Sequence, residues 1–451
     1  MNTISQNQNL LQNSLKIFFL ICFLPIFINI ESFTFLTEKQ IIGDRILSIN
    51  FVITPLFIIF QYIAIQKTHK MELNYSPFAI MCFSTIITFI FLMFFKYQLS
   101  APTSTFFLFF QTILPILFVA IFYETYNYSY SENESLIFLK NKEEILKYFA
   151  FSITFAAVIL FVTKTFYGTS FQLGNDSFLG SQFGPFFNFK GKRFFPILIA
   201  NASIILIYFF LKDRSKWIYL FGSIFLLICV FNAWSRTALI TAMIGIFTLI
   251  FAFIKDRGGK IESSSSISFL LIIFPLVLLL FYILYINLIS SNVDVRSTNS
   301  FIRLFYGLFS NQSLATVSDE SIRLARMIEG LQLVLTNPLG LGFEQSNQDS
   351  AMNYSYYLNL NTKNFVSENG YIDFALKTGW IGIGILLNSL YKIHYFFKTH
   401  NHKELTLLKS LFYANVISSI FLLHILTEPY SSFLIWFIFV SCYFLLNFKY
   451  D

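Results

Sequence analysis

Charge is scarce in this sequence: only 12% of its 451 residues are Asp, Glu, Lys or Arg, against roughly 25% in soluble domains. Cysteine is scarce too. Cys22, Cys82, Cys229 and Cys442 all sit within apolar runs, which implies neither a disulfide framework nor a thiolate metal site. The five His (His69, His394, His400, His402 and His424) include no HExxH pair, and no phosphate-cradling GxxxxGK is present. Alternation of apolar and polar residues is also missing from the long apolar runs, which excludes a transmembrane β-barrel.

What is present is hydrophobic. Apolar residues make up 56% of the chain, 61 residues are Phe, and mean hydropathy is +0.65. Apolar runs long enough to cross the hydrocarbon core must be helices, because lipid satisfies no exposed backbone amide. The runs predict twelve spans, near 15–36, 46–65, 78–95, 102–123, 146–166, 194–211, 216–233, 235–254, 267–289, 371–396, 406–426 and 429–448. The expected organisation is therefore spans one to nine in 1–289, a large loop in 290–370, and spans ten to twelve in 371–451. An even number of spans puts both termini on one side. The first run lacks a signal-peptide cleavage site and is expected to be retained. Lys and Arg counted over the short loops favour both termini in the cytoplasm, although the basic "NFKGKRF" (188–194) falls on the other side. The net charge of +7 thus speaks of topology rather than of nucleic acid.

Within the long loop, "SDESIRLARMIEGLQLVLTNP" (318–338) begins acidic, repeats apolar residues at helical spacing and stops at Pro338. It predicts an amphipathic helix on or near the outer membrane surface. A second outer loop, 167–193, holds "GSQFGPFFNFKGKR", whose Gly and Pro argue against regular helix. The serine run 263–266 reads as a flexible linker.

Three cationic groups are expected at the outer face. Arg236 stands in "NAWSRTALI", at the hairpin between spans seven and eight, facing either a polar cavity or the interface as a snorkelling side chain. Arg323 and Arg326 share one face of the loop helix, facing a ligand or pairing with Asp319, Glu320 or Glu329. Lys190, Lys192 and Arg193 form either a site or a solvated basic loop. Guanidinium forks suit phosphate because they donate paired hydrogen bonds and stay charged, and several around a low-dielectric cavity could hold a diphosphate without a metal. At the lip of span ten, "SENGYIDFALKTGWIGIG" (367–384) places Glu368 as a candidate general base for a sugar hydroxyl. The competing reading is capping, with Ser367 or Asn369 as N-cap. Gly379, Gly382 and Gly384 read as small residues for close helix packing.

Taken in order, "AWSRTALITAMIGI" (233–246), "RLARMIEGLQLVLTNPLGLGFEQSN" (323–347) and "SENGYIDFALKTGWIGIGIL" (367–386) resemble the O-antigen polymerase and ligase superfamily. "FGPFFNFKGKRFFPILIANASI" (183–204) looks like a degraded form of the family's upstream GxFxNPN element. The resemblance implies an all-α, polytopic transmembrane bundle in the bacterial inner membrane, with a periplasmic loop and active face. It implies a glycosyltransferase without metal or cofactor, using undecaprenyl-diphosphate-linked oligosaccharide, with membrane lipid and a chain-length regulator as further partners. By position Arg236 matches the Arg of the family's SRxxL element, Arg323 opens the loop motif, and Glu368 with Asn369 takes the place of HN. The diphosphate would be held by Arg236, Arg323, Arg326 and Arg193. Ligases carry His where this chain has Glu368, which tilts the expectation from ligase toward polymerase. The non-enzyme alternative is a flippase or other transporter. That class favours charged or broken helices near the midplane, and the expected spans show almost no charge.

Overall fold

A computed structural model describes residues 77–95, 106, 109–110, 112–117, 135–166, 182–183, 187–188, 195–232, 236–256, 327–342, 369–400, 402–421, 426 and 431–447. The described residues are helical apart from turns and one two-residue antiparallel pairing, Gln182–Phe183 (β1) with Phe187–Asn188 (β2). That pairing falls in the loop where Gly184 and Pro185 argue against helix. The helices are α1 (Pro77–Phe95), α2 (Ser135–Phe166), α3 (Phe195–Lys212), α4 (Trp217–Asn232), α5 (Arg236–Asp256), α6 (Met327–Thr336), α7 (Gly370–Thr399), α8 (Thr406–Phe421) and α9 (Ser431–Phe444). The all-α expectation holds. Among the described helices, α1 and α7 are long and apolar enough to cross a membrane, and α3, α4, α5, α6 and α9 are shorter apolar helices. The expected spans 15–36, 46–65 and 267–289 lie outside the described residues.

Short connections force neighbouring helices to run antiparallel, and the contacts follow. α3 packs on α2, α4 and α5, and α5 packs on α8. Ile204, Gly245 and Ala414 meet where these last three cross, and a Cβ on Gly245 would stand 2.1 Å from Ile204 Cδ1. A single large apolar cluster runs through α1 to α5 and α7 to α9. The two ends of the bundle are distinguishable. At one end, Glu143 near the start of α2 accepts from Tyr208 and pairs with Lys212, 2.5 Å away, at the end of α3. The 3-10 turn Lys403–Leu405, between α7 and α8, packs at that same end against α2 and α5. At the other end, Thr237 Oγ1 in the first turn of α5 reaches the carbonyl of Phe421, the last residue of α8, at 3.4 Å.

α7 is not one straight helix. Gly379 has φ 71° and ψ −174°, a conformation outside any helix and confined essentially to glycine. Beyond it, His394 Nδ1 lies 3.1 Å from Tyr413 Oη, and Phe397 packs on Phe412. Before it, Tyr371 Oη donates to the carbonyl of Val416 at 3.0 Å. A straight helix would separate Tyr371 from His394 by about 35 Å, yet their partners on α8 lie within one turn of each other. The first half therefore turns back toward α8 at the glycine. This corrects the expectation of one continuous span over 371–396. The segment from Trp380 to Thr399 rises about 30 Å on its own, which matches the hydrocarbon core.

Candidate functional site

The folded-back half of α7 is the centre of the site. Asn369 is its N-cap: the side-chain oxygen accepts from the amides of Tyr371 and Ile372 at 2.9 and 3.1 Å. That satisfies two of the four donors a helix start leaves open. From Asn369 to Gly379 every residue is buried except half-buried Tyr371. Phe374 packs on Trp436 of α9, and Phe78 of α1 meets the same indole edge-on. A helix enclosed on all sides has no solvent face, so its polar residues must be satisfied inside. Asn369, Asp373 and Lys377 recur every fourth residue and form one polar stripe. Asp373 Oδ2 and Lys377 Nζ pair at 3.0 Å with both side chains about nine-tenths buried.

A second element closes the break. Residues 337–342 leave α6 and run against Gly379. In an unbroken helix the amide of Trp380 would bond to the carbonyl of Leu376. Here Leu376 O accepts instead from Leu341 N (2.7 Å) and Gly342 N (3.3 Å), while Trp380 N donates to Pro338 O (2.9 Å). The indole of Trp380 adds a bond from Nε1 to Val334 O at 2.5 Å. The backbones touch so closely that a Cβ on Gly340 would stand 2.5 Å from Leu376 O, and one on Gly379 would stand 2.6 Å from Pro338 O. Both glycines also have positive φ. The strap thus replaces the hydrogen bonds the break removes, and it fixes α6 to α7.

Close by, Asn201 of α3 and Asn415 of α8 exchange amide hydrogen bonds at 3.1 and 2.8 Å, wholly buried. Each also donates to the carbonyl four residues earlier in its own helix. Asn415 precedes Val416, the acceptor for Tyr371, so this pair and the N-terminal turn of α7 share one region of α8.

Set against expectation, Asn369 takes the capping role. Arg236 is the first residue of α5; its side chain lies outside the described residues, as do Glu368, Arg323, Arg326, Lys190, Lys192 and Arg193. Glu368 directly precedes the cap, and Arg326 directly precedes α6. The expected helix over 318–338 is described as Met327–Thr336. The glycine reading is corrected. Gly379 admits a strap rather than a neighbouring helix, a Cβ on Gly382 would meet Thr378 of its own helix, and Gly384 has nothing within 4 Å. Sequence reasoning also missed Asp373 and Lys377. An Asp and a Lys four apart inside an apolar run were the available signal.

These features define, among the described residues, a helical bundle with two helices long and apolar enough to cross a membrane, one of them broken, and a strap that closes the break. Residues 221–387 match the family model described as O-antigen ligase, which is consistent with the O-antigen polymerase and ligase superfamily that the motifs resemble. The matched segment contains Arg236, Arg323, Arg326, the strap, Glu368 and the break, and leaves Arg193 outside. No curated protein matches the chain. The family is one of glycan-transferring membrane enzymes acting on lipid-linked polysaccharide.

Proposed function

We propose that the protein is a polysaccharide polymerase. It would join undecaprenyl-diphosphate-linked repeat units at the periplasmic face of a twelve-span bundle whose termini are cytoplasmic. The observation that carries this reading is the strap. It ties α6, whose N-terminal extension bears Arg323 and Arg326, to the helix that Glu368 precedes. On this reading, two chemistries far apart in sequence, cationic and carboxylate, belong to segments that this junction joins. Arg236 begins α5 at the bundle end where Thr237 meets Phe421.

In the proposed reaction a sugar hydroxyl of one lipid-linked unit attacks the anomeric carbon of the growing chain. The new C–O bond forms as the bond from that carbon to undecaprenyl diphosphate breaks. The hydroxyl proton passes to Glu368, and Arg236, Arg323, Arg326 and Arg193 receive the charge on the departing diphosphate. Gels of surface polysaccharide from a deletion strain carrying Arg236→Ala, Arg323→Ala or Glu368→Gln test the assignment. Loss of the ladder is expected in each, and normal ladders from all three would remove it. In the deletion strain itself, single repeat units on lipid A-core indicate a polymerase, whereas polymer held on the lipid carrier indicates a ligase.

The broken helix and its buried Asp373–Lys377 pair favour a second reading, a flippase, because transporters place such features along their substrate path. The strap argues against it: the carbonyl freed at Gly379 is already taken by Leu341 and Gly342. Repeat units accumulating on the inner leaflet of the deletion strain would favour the flippase.

A further inference from the structure

Helix α6 carries an exposed apolar stripe. The strap and the Trp380 indole fix its rotation, and with that rotation Ile328, Leu331, Leu335 and, just beyond the helix, Leu339 are exposed by 49, 52, 67 and 39%. Gly330 is buried; Met327, Glu329, Leu333, Val334 and Asn337 are half-buried, and Gln332 and Thr336 are exposed beside the stripe. A helix with water on this side would turn Ile328, Leu331 and Leu335 toward the protein instead. The exposed stripe is joined through the Trp380–Val334 bond to the exposed side of α7, where Trp380 and Ile381 begin the segment long enough to cross a membrane.

We propose that this stripe is a lipid contact, immersed in the acyl chains of the leaflet that α7 enters at Trp380. The join to α7 favours lipid over a protein partner, since the stripe is hydrogen-bonded, through Val334 and Trp380, to exposed Trp380 and Ile381 at the start of a helix long and apolar enough to cross a membrane. An indole at the junction suits the interface, with its ring apolar and its N–H satisfied by a carbonyl. One consequence rests on the proposed function. With the stripe in hydrocarbon, the N-terminal end of α6, to which Arg326 is joined in sequence, stands near the headgroups, the level of a lipid-linked diphosphate.

Bimane at Leu331→Cys or Leu335→Cys tests the contact, in the full chain with native cysteines replaced and reconstituted in phosphatidylcholine vesicles. 5-Doxyl phosphatidylcholine should quench either label at least about twofold, as expected for a side chain several ångströms into the acyl region. Aqueous iodide should leave them bright, and a label at Ser215→Cys in the exposed α3–α4 hairpin should behave oppositely. Iodide quenching at 331 and 335 would overturn the proposal, as would indifference to both quenchers, which would mean that protein covers the stripe. Should the cysteine-replaced chain fail to fold, a benzophenone amino acid at Leu331 in the otherwise native chain gives a second reading. A phospholipid adduct is expected, and a protein-only cross-link overturns it. None of these readouts depends on glycan transfer, so a failed lipid contact and a failed enzyme assignment remain distinguishable.

Discussion

Gly379→Ala isolates the junction on which the site depends. The backbone there, φ 71° and ψ −174°, is essentially a glycine conformation, and forcing another residue into it costs about 1–3 kcal/mol. The added methyl would also stand 2.6 Å from Pro338 O and 3.1–3.2 Å from backbone atoms of Leu339. These are backbone atoms held by their own bonds, so the strap must move. Moving it strands Leu376 O and Trp380 N, whose partners Leu341 N and Pro338 O are lost; each buried polar group left open costs roughly 1–3 kcal/mol. The combined loss is about 3–9 kcal/mol if the strap detaches without compensation. Gly384→Ala is the matched control, because nothing lies within 4 Å of its Cβ and alanine is favoured over glycine in a helix by up to about 1 kcal/mol. Unfolding in detergent, followed by tryptophan emission, should show a large drop in midpoint for Gly379→Ala and none for Gly384→Ala. Trp380 also reports the strap directly. Equal midpoints for the two variants would refute the claim that the strap holds the break.

The reciprocal amides of Asn201 and Asn415 should couple in a double-mutant cycle to alanine by about 0.6–1.7 kcal/mol, the range for hydrogen bonds inside membrane proteins; a coupling near zero would mean that each amide is satisfied by its own helix. Removing either Asp373 or Lys377 alone should destabilise by about 3–5 kcal/mol, while the double variant Asp373→Leu with Lys377→Met should recover most of it. Failure of the double variant to recover would show that the charges serve a partner other than each other. In the α3–α4 hairpin, hydrogen bonds from Lys216 and Ser215 hold the Asp213 carboxyl down at about 2. A depressed carboxyl contributes above its ordinary value near 4 and loses that contribution as pH falls toward 2, so Lys216→Ala should move the carboxyl's NMR titration upward.

How much of this was legible beforehand depends on the range of the interaction. Runs such as 194–211, 216–233 and 235–254 announce their helices because apolar length alone decides the matter, and α3, α4 and α5 fall within a few residues of them. Asn369 could be read as a cap because capping is settled within three residues. The fold-back of α7 could not. "TGWIGIG" reads as a helix-compatible apolar run, and only the approach of a strap from about forty residues upstream makes Gly379 a break rather than a packing contact. The Asn201–Asn415 pair shows the same limit more plainly. Each amide alone is an isolated polar residue in an apolar run, a pattern that local rules would count against the span. Its sense comes from a partner 214 positions away.

That distinction bears on the catalytic assignment. Arg236, Arg323, Arg326 and Glu368 were chosen by motif, a local signal, but a diphosphate site requires them to converge, which is a long-range property. Among the described contacts, the strap is the one that joins the segments on either side of the loop motif and the Glu368 motif. Its bonds attach the α6 segment to α7 eight to twelve residues from Glu368, and three of them run between backbone atoms, whose geometry does not vary with side-chain rotamer. Substitutions that loosen the strap without touching the arginines or Glu368, Gly340→Ala among them, should therefore depress glycan transfer along with stability. A strap variant that melts early yet transfers glycan at the native rate at low temperature would separate the two roles. In that case the arginines and the carboxylate would be held in place by segments other than this junction.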